Sequence, residues 1–267
     1  MATFDKSGTK RIVDFFETIG YPVQFINVND ESMNYTKFVT PYGNQDYKVY
    51  FYNSPITIKG VEKNDEYNIY YTSELSAYDF KDIFYVEDGK LKITAIKKSN
   101  GDYTSARIRS FQKQDFTYGR IDVRAKMPSK TNGIWPAIWM LGSNYPNPEW
   151  PACGEIDILE YAQSNSFRAQ STVHHPDNHG GGDSYTRTDY NDLHEKFYTY
   201  SLVWTKEALT FYVEDKQHHI VGNSCALPFN WDFNIILNFA MGGTFGGEID
   251  SSFTSETMEI DYVKVYQ

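Results

Sequence analysis

Glu155-Ile156-Asp157-Ile158-Leu159-Glu160 sets three carboxylates in a run whose other members are strand-forming aliphatics. Side chains alternate across a strand, so Glu155 and Asp157 share one face while Ile156 and Ile158 take the other. Glu160 falls five positions after Glu155. In a regular strand that places it on the aliphatic face, where an unpaired carboxylate is costly. One extra residue repairs the register. The spacing therefore predicts a β-bulge at Ile158-Leu159 that returns Glu160 to the face of Glu155 and Asp157.

Three carboxyls on one face cannot all ionise easily at neutral pH, because like charges at short range push some of the protonation equilibria upward. Such a cluster holds a protonated acid beside an anion. Glycoside hydrolysis uses that pair: an acid for the leaving oxygen, and a carboxylate for the anomeric carbon when configuration is retained. Asp157, between the two glutamates, is placed to tune their charges. The alternatives are a solvated edge strand or a calcium loop, but calcium loops favour flexible turns, whereas Ile156, Ile158 and Leu159 favour a pleated sheet.

The surrounding chain reads as all-β. From Asp46 onward, short alternating or apolar runs are cut by turn residues: Tyr47–Tyr52, Tyr67–Tyr71, Leu91–Ile96, Ile121–Ala125, Ala137–Leu141, Tyr198–Val203, Leu209–Val213, Ile235–Phe239 and Tyr262–Tyr266. Asp88-Gly89, Asn100-Gly101, Pro146-Asn-Pro148 and Gly180-Gly-Gly-Asp183 are turn signals. Residues 1–24 differ; Lys10–Ile19 has apolar positions near helical spacing and stops at Gly20-Tyr-Pro22, which predicts an N-terminal arm or short helix. No repeat or interdomain linker interrupts the 267 residues. The expected architecture is one domain over 1–267, an antiparallel sandwich of many strands, with the acids on a concave sheet face.

Composition narrows the partners. The net charge is −10, from 25 Lys and Arg against 35 Asp and Glu, which repels nucleic acid and acidic polysaccharides and favours a neutral substrate. The aromatic share of 17% exceeds what a core alone demands, and sugars stack on such rings, although strand propensity accounts for most of them. Two cysteines, Cys153 and Cys225, leave a single bridge open and no disulfide framework. No apolar stretch near the N-terminus follows a basic segment, and none approaches a membrane span, so the expectation is a chain secreted after removal of a signal, or an intracellular one.

Other residues acquire meaning from position. Trp135 and Trp139, four apart on a probable strand, face the same side, as core filling or as stacking platforms beside the acids. Trp150, in a Pro-rich loop just before the acidic run, is a further, weaker candidate for stacking on the substrate. His174 and His175 are adjacent, so only one can face a cleft; a zinc site of His174, His175 and His179 is disfavoured by the intervening turn. His218 and His219, near a hairpin turn, are expected to be exposed. Arg107 and Asn238 can donate hydrogen bonds to sugar hydroxyls.

The segment Pro151-Ala-Cys-Gly-Glu155-Ile-Asp157-Ile-Leu-Glu160-Tyr161 resembles the signature of glycoside hydrolase family 16, in the bulged form found in its laminarinases, the endo-β-1,3-glucanases. Further segments resemble that family in the same order: Tyr103–Arg109, Phe116–Pro128, Gly133–Gly142, Ser171–His174, Phe197–Trp204, Ile236–Gly243 and Met258–Tyr266. The likeness runs from about Asn64 to the C-terminus. It implies a jelly-roll β-sandwich of two curved antiparallel sheets, with Glu155 as nucleophile, Asp157 as assisting acid and Glu160 as general acid/base. It also implies sugar contacts from Trp135 and Trp139, His174 near the reacting sugar, polar cleft groups at Arg107 and Asn238, and Asp261 as ligand of a structural calcium remote from catalysis. In the family's non-bulged branch, which includes the mixed-linkage glucanases, the second glutamate comes one residue earlier; the extra Leu159 points away from it. Two departures stand out. Laminarinases usually follow the late Gly-Gly pair with Asn-Trp, where this chain has Thr244-Phe245, and Phe25–Glu31 is only a blurred version of the N-terminal pattern.

Together these readings lead to a monomeric, retaining endo-hydrolase of neutral β-1,3-glucan that uses no catalytic cofactor and binds neither nucleic acid nor membrane. The rivals are a hydrolase of another neutral polysaccharide, such as mixed-linkage glucan or agarose, and a non-catalytic β-glucan-binding protein on the same scaffold. The latter class loses catalytic acids, and this chain keeps all three.

Overall fold

Alternation of apolar and polar residues is the main instruction in this chain, and it resolves into two stacked antiparallel sheets. The computed structural model describes residues 84–111, 113–180 and 185–267, and the backbone of two strands further upstream. Those two, β1 (Val23–Asn27) and β2 (Asn34–Phe38), pair with each other. The expected strands Tyr47–Tyr52 and Tyr67–Tyr71, and the expected helix in residues 10–19, lie outside the described residues. Among the described residues no helix is long and apolar enough to cross a membrane.

The remaining strands are β3 (Phe84–Glu87), β4 (Lys90–Lys97), β5 (Tyr103–Thr104), β6 (Arg107–Arg109), β7 (Gly119–Lys126), β8 (Ile134–Gly142), β9 (Glu155–Glu160), β10 (Ala169–His174), β11 (Tyr185–Thr188), β12 (Tyr198–Trp204), β13 (Ala208–Val213), β14 (Lys216–Gly222), β15 (Phe233–Met241) and β16 (Ser255–Tyr266). One sheet runs β11-β10-β9-β8-β15-β6, and the other runs β14-β13-β12-β7-β16-β4-β3 with β5 alongside β4. The Asp88-Gly89 signal becomes the β3–β4 hairpin turn, with positive φ at both residues (51° and 73°), as a primed two-residue turn requires.

The core lies between the sheets. β13 shows the pattern most plainly: Leu209, Phe211 and Val213 are buried, and Ala208, Thr210 and Tyr212 are less so. Ile121, Val123 and Ala125 of β7 and Met258 of β16 meet Ile138, Met140, Ile156, Ile158, Phe233 and Phe239 from the opposing sheet. Each large apolar side chain so buried contributes roughly 1.5–3 kcal/mol. Trp204 packs edge-on against Phe233, and its indole N–H donates to the Phe229 carbonyl at 3.0 Å, so its one polar atom is not left unpaired in the core. Pro136 is tolerated inside β8 because the ladder to β9 ends beside it, at Ala137↔Glu160; Tyr161 N–H still reaches the Pro136 carbonyl at 3.2 Å.

Cys153 is buried and Cys225 exposed, and they are not bridged. Burial pushes the Cys153 thiol up to about 11, with Glu155 adding to the rise. It is a packing residue in a small cluster with Leu141 and Ile236, against which Trp139 rests.

Candidate active site

The acidic run forms β9, in the middle of the six-stranded sheet, and the predicted bulge is there. Towards β8 the register passes from Trp139↔Asp157 to Ile138↔Leu159, and towards β10 from Thr172↔Asp157 to Gln170↔Glu160. Ile158 is skipped on both sides, so Asp157 and Glu160 end on one face while Ile156, Ile158 and Leu159 enter the core. Gly154 prepares the entry to β9. It sits at φ +80°, and a Cβ there would lie 2.8 Å from the Phe233 ring.

Cross-strand partners share a face, so the register lists what surrounds the acids. Leu141, Trp139 and Ala137 of β8 stand beside Glu155, Asp157 and Glu160, and His174, Thr172 and Gln170 of β10 stand on the other side. One strand further, Asn238 and Ile236 of β15 face Ala137 and Trp139, with Arg107 and Arg109 of β6 beyond them. The sheet face turned away from the core thus carries a polar, aromatic-flanked floor.

Glu160 receives three donors: Trp135 Nε1 to Oε1 at 3.2 Å, and Gln170 Nε2 and Thr172 Oγ1 to Oε2 at 3.2 and 3.3 Å. Arg187 Nε in turn holds the Gln170 carbonyl oxygen at 2.6 Å. Asp157, 3% exposed, shares a hydrogen bond with Glu155. His174 Nε2 lies 3.2 Å from Asp157 Oδ2 and 3.8 Å from Glu155 Oε1. Ligating atoms of Glu155, Asp157 and His174 all lie within 4.8 Å of one another, a spacing that would also suit a cation.

Electrostatics follow from this crowding. Burial pushes Glu155 well above the ordinary carboxylate range; Asp157 adds to the rise, and His174, then Arg107, oppose it. Asp157 is driven well up by burial and then by the charge of Glu160. Glu160 also rises through burial, but His174 and its donors Trp135, Thr172 and Gln170 pull it back. Two hydrogen-bonded carboxyls such as Glu155 and Asp157 share a proton, leaving one anionic charge between them.

The aromatic residues divide. Trp135 and Trp139 project from the same face, as their spacing predicts. Trp135 binds Glu160 and packs on Phe245, with ring centroids 5.3 Å apart. The phenylalanine that stands in the Asn-Trp position is therefore part of the site wall, carried by the short helix α1 (Gly243–Gly246). Trp139 Nε1 donates to Asn238 Oδ1 at 2.5 Å, and the Arg107 guanidinium lies 4.3 Å from its ring. Asn238 thus spends its amide oxygen in orienting Trp139. Trp150, 41% exposed, stands over His174 and His179, with centroids 5.9 and 5.4 Å away.

His174 is the member of its pair that faces the acids. His175 turns to the core side, is buried against Phe229, and has its pKa lowered by that burial; the two therefore do not join in a zinc site. Asp261 is not part of this site: it lies on β16 of the other sheet and pairs with Arg124 at 2.7 Å. A calcium ion there would have to compete with that guanidinium. The expectation that His218 and His219 are exposed is overturned. Both are partly buried, His218 bonding to Ser171 and Thr188 and His219 to Thr186. Gln170 and Thr172 went unnoticed in the sequence, although counting back in twos from His174 places both on the acidic face.

Comparison with known proteins agrees with this geometry. Residues 64–264 match the model of glycosyl hydrolases family 16. The chain is 34% identical over 208 residues to glucan endo-1,3-β-glucosidase A1 of Niallia circulans, a match covering 68% of this chain and 30% of that protein. It is 35% identical over 204 residues to a glucan endo-1,3-β-glucosidase of Cryptopygus antarcticus, covering 67% of this chain and 74% of that one. The crystal structure of a laminarinase from Flavobacterium sp. UMI-01 superposes with a TM-score of 0.67 at 39% identity, covering 70% of this chain and 83% of the other. This chain thus spans less than a third of the Niallia relative and most of the laminarinase structure.

Proposed function

The chain belongs to glycosyl hydrolases family 16, and from that premise we propose that it is an endo-acting hydrolase of β-1,3-glucan working by double displacement at Glu155 and Glu160. The observation that carries the reading is the bulge at Ile158, which sets Glu160 on the face of Glu155 and Asp157.

In the first step a Glu155 carboxylate oxygen bonds to the anomeric carbon. The bond from that carbon to the glycosidic oxygen breaks, and the leaving oxygen takes the Glu160 proton. Glu160, now anionic, is met by Trp135, Gln170 and Thr172, which stabilise the charge just formed. In the second step Glu160 removes a proton from water, the water oxygen bonds to the anomeric carbon, and the ester to Glu155 breaks. Glu160 must work in both protonation states, and burial opposed by three donors suits that: its pKa is raised without being locked. For attack the proton of the pair must sit on Asp157, which leaves Glu155 as the anion, and His174 lies where its ring faces both. No step draws on a metal or cofactor.

The aromatic wall suits a neutral sugar chain. Trp135 with Phe245, Trp139 braced by Arg107 and Asn238, and exposed Trp150 offer stacking faces on either side of the acids. Reducing-end release should be measured on laminarin, lichenan and agarose, with Glu155→Gln and Glu160→Gln beside the wild type. The expected result is preference for laminarin and a fall in turnover of about 10³-fold or more in each variant. Near wild-type turnover in either variant would sink the mechanism. Preference for lichenan or agarose would sink the linkage, and tight laminarin binding without reducing ends would mark a recognition protein.

A further inference from the structure

Two bulges of the sandwich are joined through two side chains, His218 and Ser171. In β14, His218 is the extra residue between the pairs Phe211↔His219 and Tyr212↔Gln217. Plain alternation would send it outward beside inward-facing His219; the bulge turns it in as well. There it crosses to the edge of the other sheet. Its Nε2 lies 2.7 Å from Ser171 Oγ and its Nδ1 2.9 Å from Thr188 Oγ1. Ser171 Oγ lies 2.7 Å from the carbonyl oxygen of Ile158, the residue that both ladders skip at the acidic bulge.

Proton counting fixes the directions. The Ile158 carbonyl can only accept, so the single Ser171 proton goes to it. The Ser171 oxygen must then accept from His218 Nε2–H. With Nε2 protonated, a neutral ring leaves Nδ1 as an acceptor, and Thr188 donates to it. Burial holds His218 down at about 4, with His219 contributing, so the ring is neutral at ordinary pH, as this arrangement needs. A buried bulge carbonyl outside both ladders is an obligation the fold must satisfy, and this chain of hydrogen bonds satisfies it.

We infer that His218, acting through Ser171, is a positioning residue for the reaction: it holds the Ile158 carbonyl, and with it the bulge that turns Glu160 towards Glu155 and Asp157. The inference rests on the glucanase reading of the site. His218 and Ser171 lie on the core side of the sheet, opposite the acids, so neither touches the sugar. Any effect on turnover passes through the backbone of β9.

The test compares Ser171→Ala, His218→Leu, His218→Gln and the double variant Ser171→Ala/His218→Leu on laminarin, below each variant's unfolding temperature. Ser171→Ala and His218→Leu should each lower kcat roughly tenfold to a hundredfold, as misplacement of a catalytic group does. KM should stay within about twofold, and the limb of the pH profile that reports the Glu160 proton should move. The double variant should lose no more than the worse single one. His218→Gln, whose amide nitrogen reaches the Nε2 position, should recover most of the rate. Wild-type kcat and pH profile in Ser171→Ala, or losses that multiply in the double variant, would overturn the inference; Ser171→Ala decides by itself if His218→Leu does not fold. Nitrogen-15 NMR of the His218 ring gives a reading independent of activity. An Nε2–H tautomer is expected, and an Nδ1–H tautomer overturns the inference. Should the wild type release no reducing ends, the glucanase reading fails, and the tautomer still judges the hydrogen-bond chain.

Discussion

Asp157 shows how much one residue's surroundings dictate. It is among the most buried acids described, it is hydrogen-bonded to Glu155, and its proton affinity is raised by burial and then by Glu160. A carboxyl with a raised pKa in the folded chain binds protons that the unfolded chain has already released. Its contribution to stability is therefore complete below the ordinary carboxylate range and is lost as pH rises through the folded value. Replacing it with a neutral isostere removes that loss. Asp157→Asn should raise the unfolding temperature relative to wild type at pH 8, with the gap closing as pH falls towards about 4. A thermal scan across pH checks this; a gap that widens on acidification would contradict the assignment. His218 runs the other way. Its pKa is held down at about 4 against an ordinary 6.5, so its share of stability is present above 6.5 and lost as pH falls through 4. On the proposed mechanism activity needs a Glu155 anion and a Glu160 acid; burial raises both above the usual carboxylate range, which displaces the acid and alkaline limbs towards neutrality.

At the scale of the element, β9 works because a strand with one residue too many is worth more here than a regular one. The bulge was legible from the count between Glu155 and Glu160, since regular alternation would bury a charged glutamate among aliphatics. The β14 bulge was not legible. His218 and His219 are polar residues beside a turn, and nothing local says that one of them is supernumerary; that depends on Phe211 and on the far edge of the other sheet. The Asn238 and Phe245 contacts were hidden for a similar reason, because they join strands and loops distant in sequence. Gly154 tests the element from its start. At φ +80°, with Phe233 2.8 Å from any added Cβ, Gly154→Ala should cost about 1–3 kcal/mol in denaturant unfolding and lower kcat with it. A variant as stable and active as wild type would show that the β9 entry is not so constrained.

Across the whole molecule, the two sheets divide the labour. Their facing sides make one apolar core in which Trp204, Phe211, Phe233 and Phe239 are buried. The outer side of the six-stranded sheet carries the acids, so the strands that fix the core also fix the spacing of the carboxyls. Sandwich architecture, the acidic face and the strands β4, β7, β8, β9, β12, β13, β15 and β16 could be read from residue alternation, because period-two burial is written locally. The share of the site supplied by β10, β11 and β14 required the three-dimensional register. At this scale the proposal is that Glu155 and Glu160 cleave β-1,3-glucan with net retention at the anomeric carbon. Proton NMR of laminarin hydrolysis, recorded before mutarotation, measures it directly. The β-anomer of the new reducing end should appear first and the α-anomer only later; first appearance of the α-anomer would contradict the account.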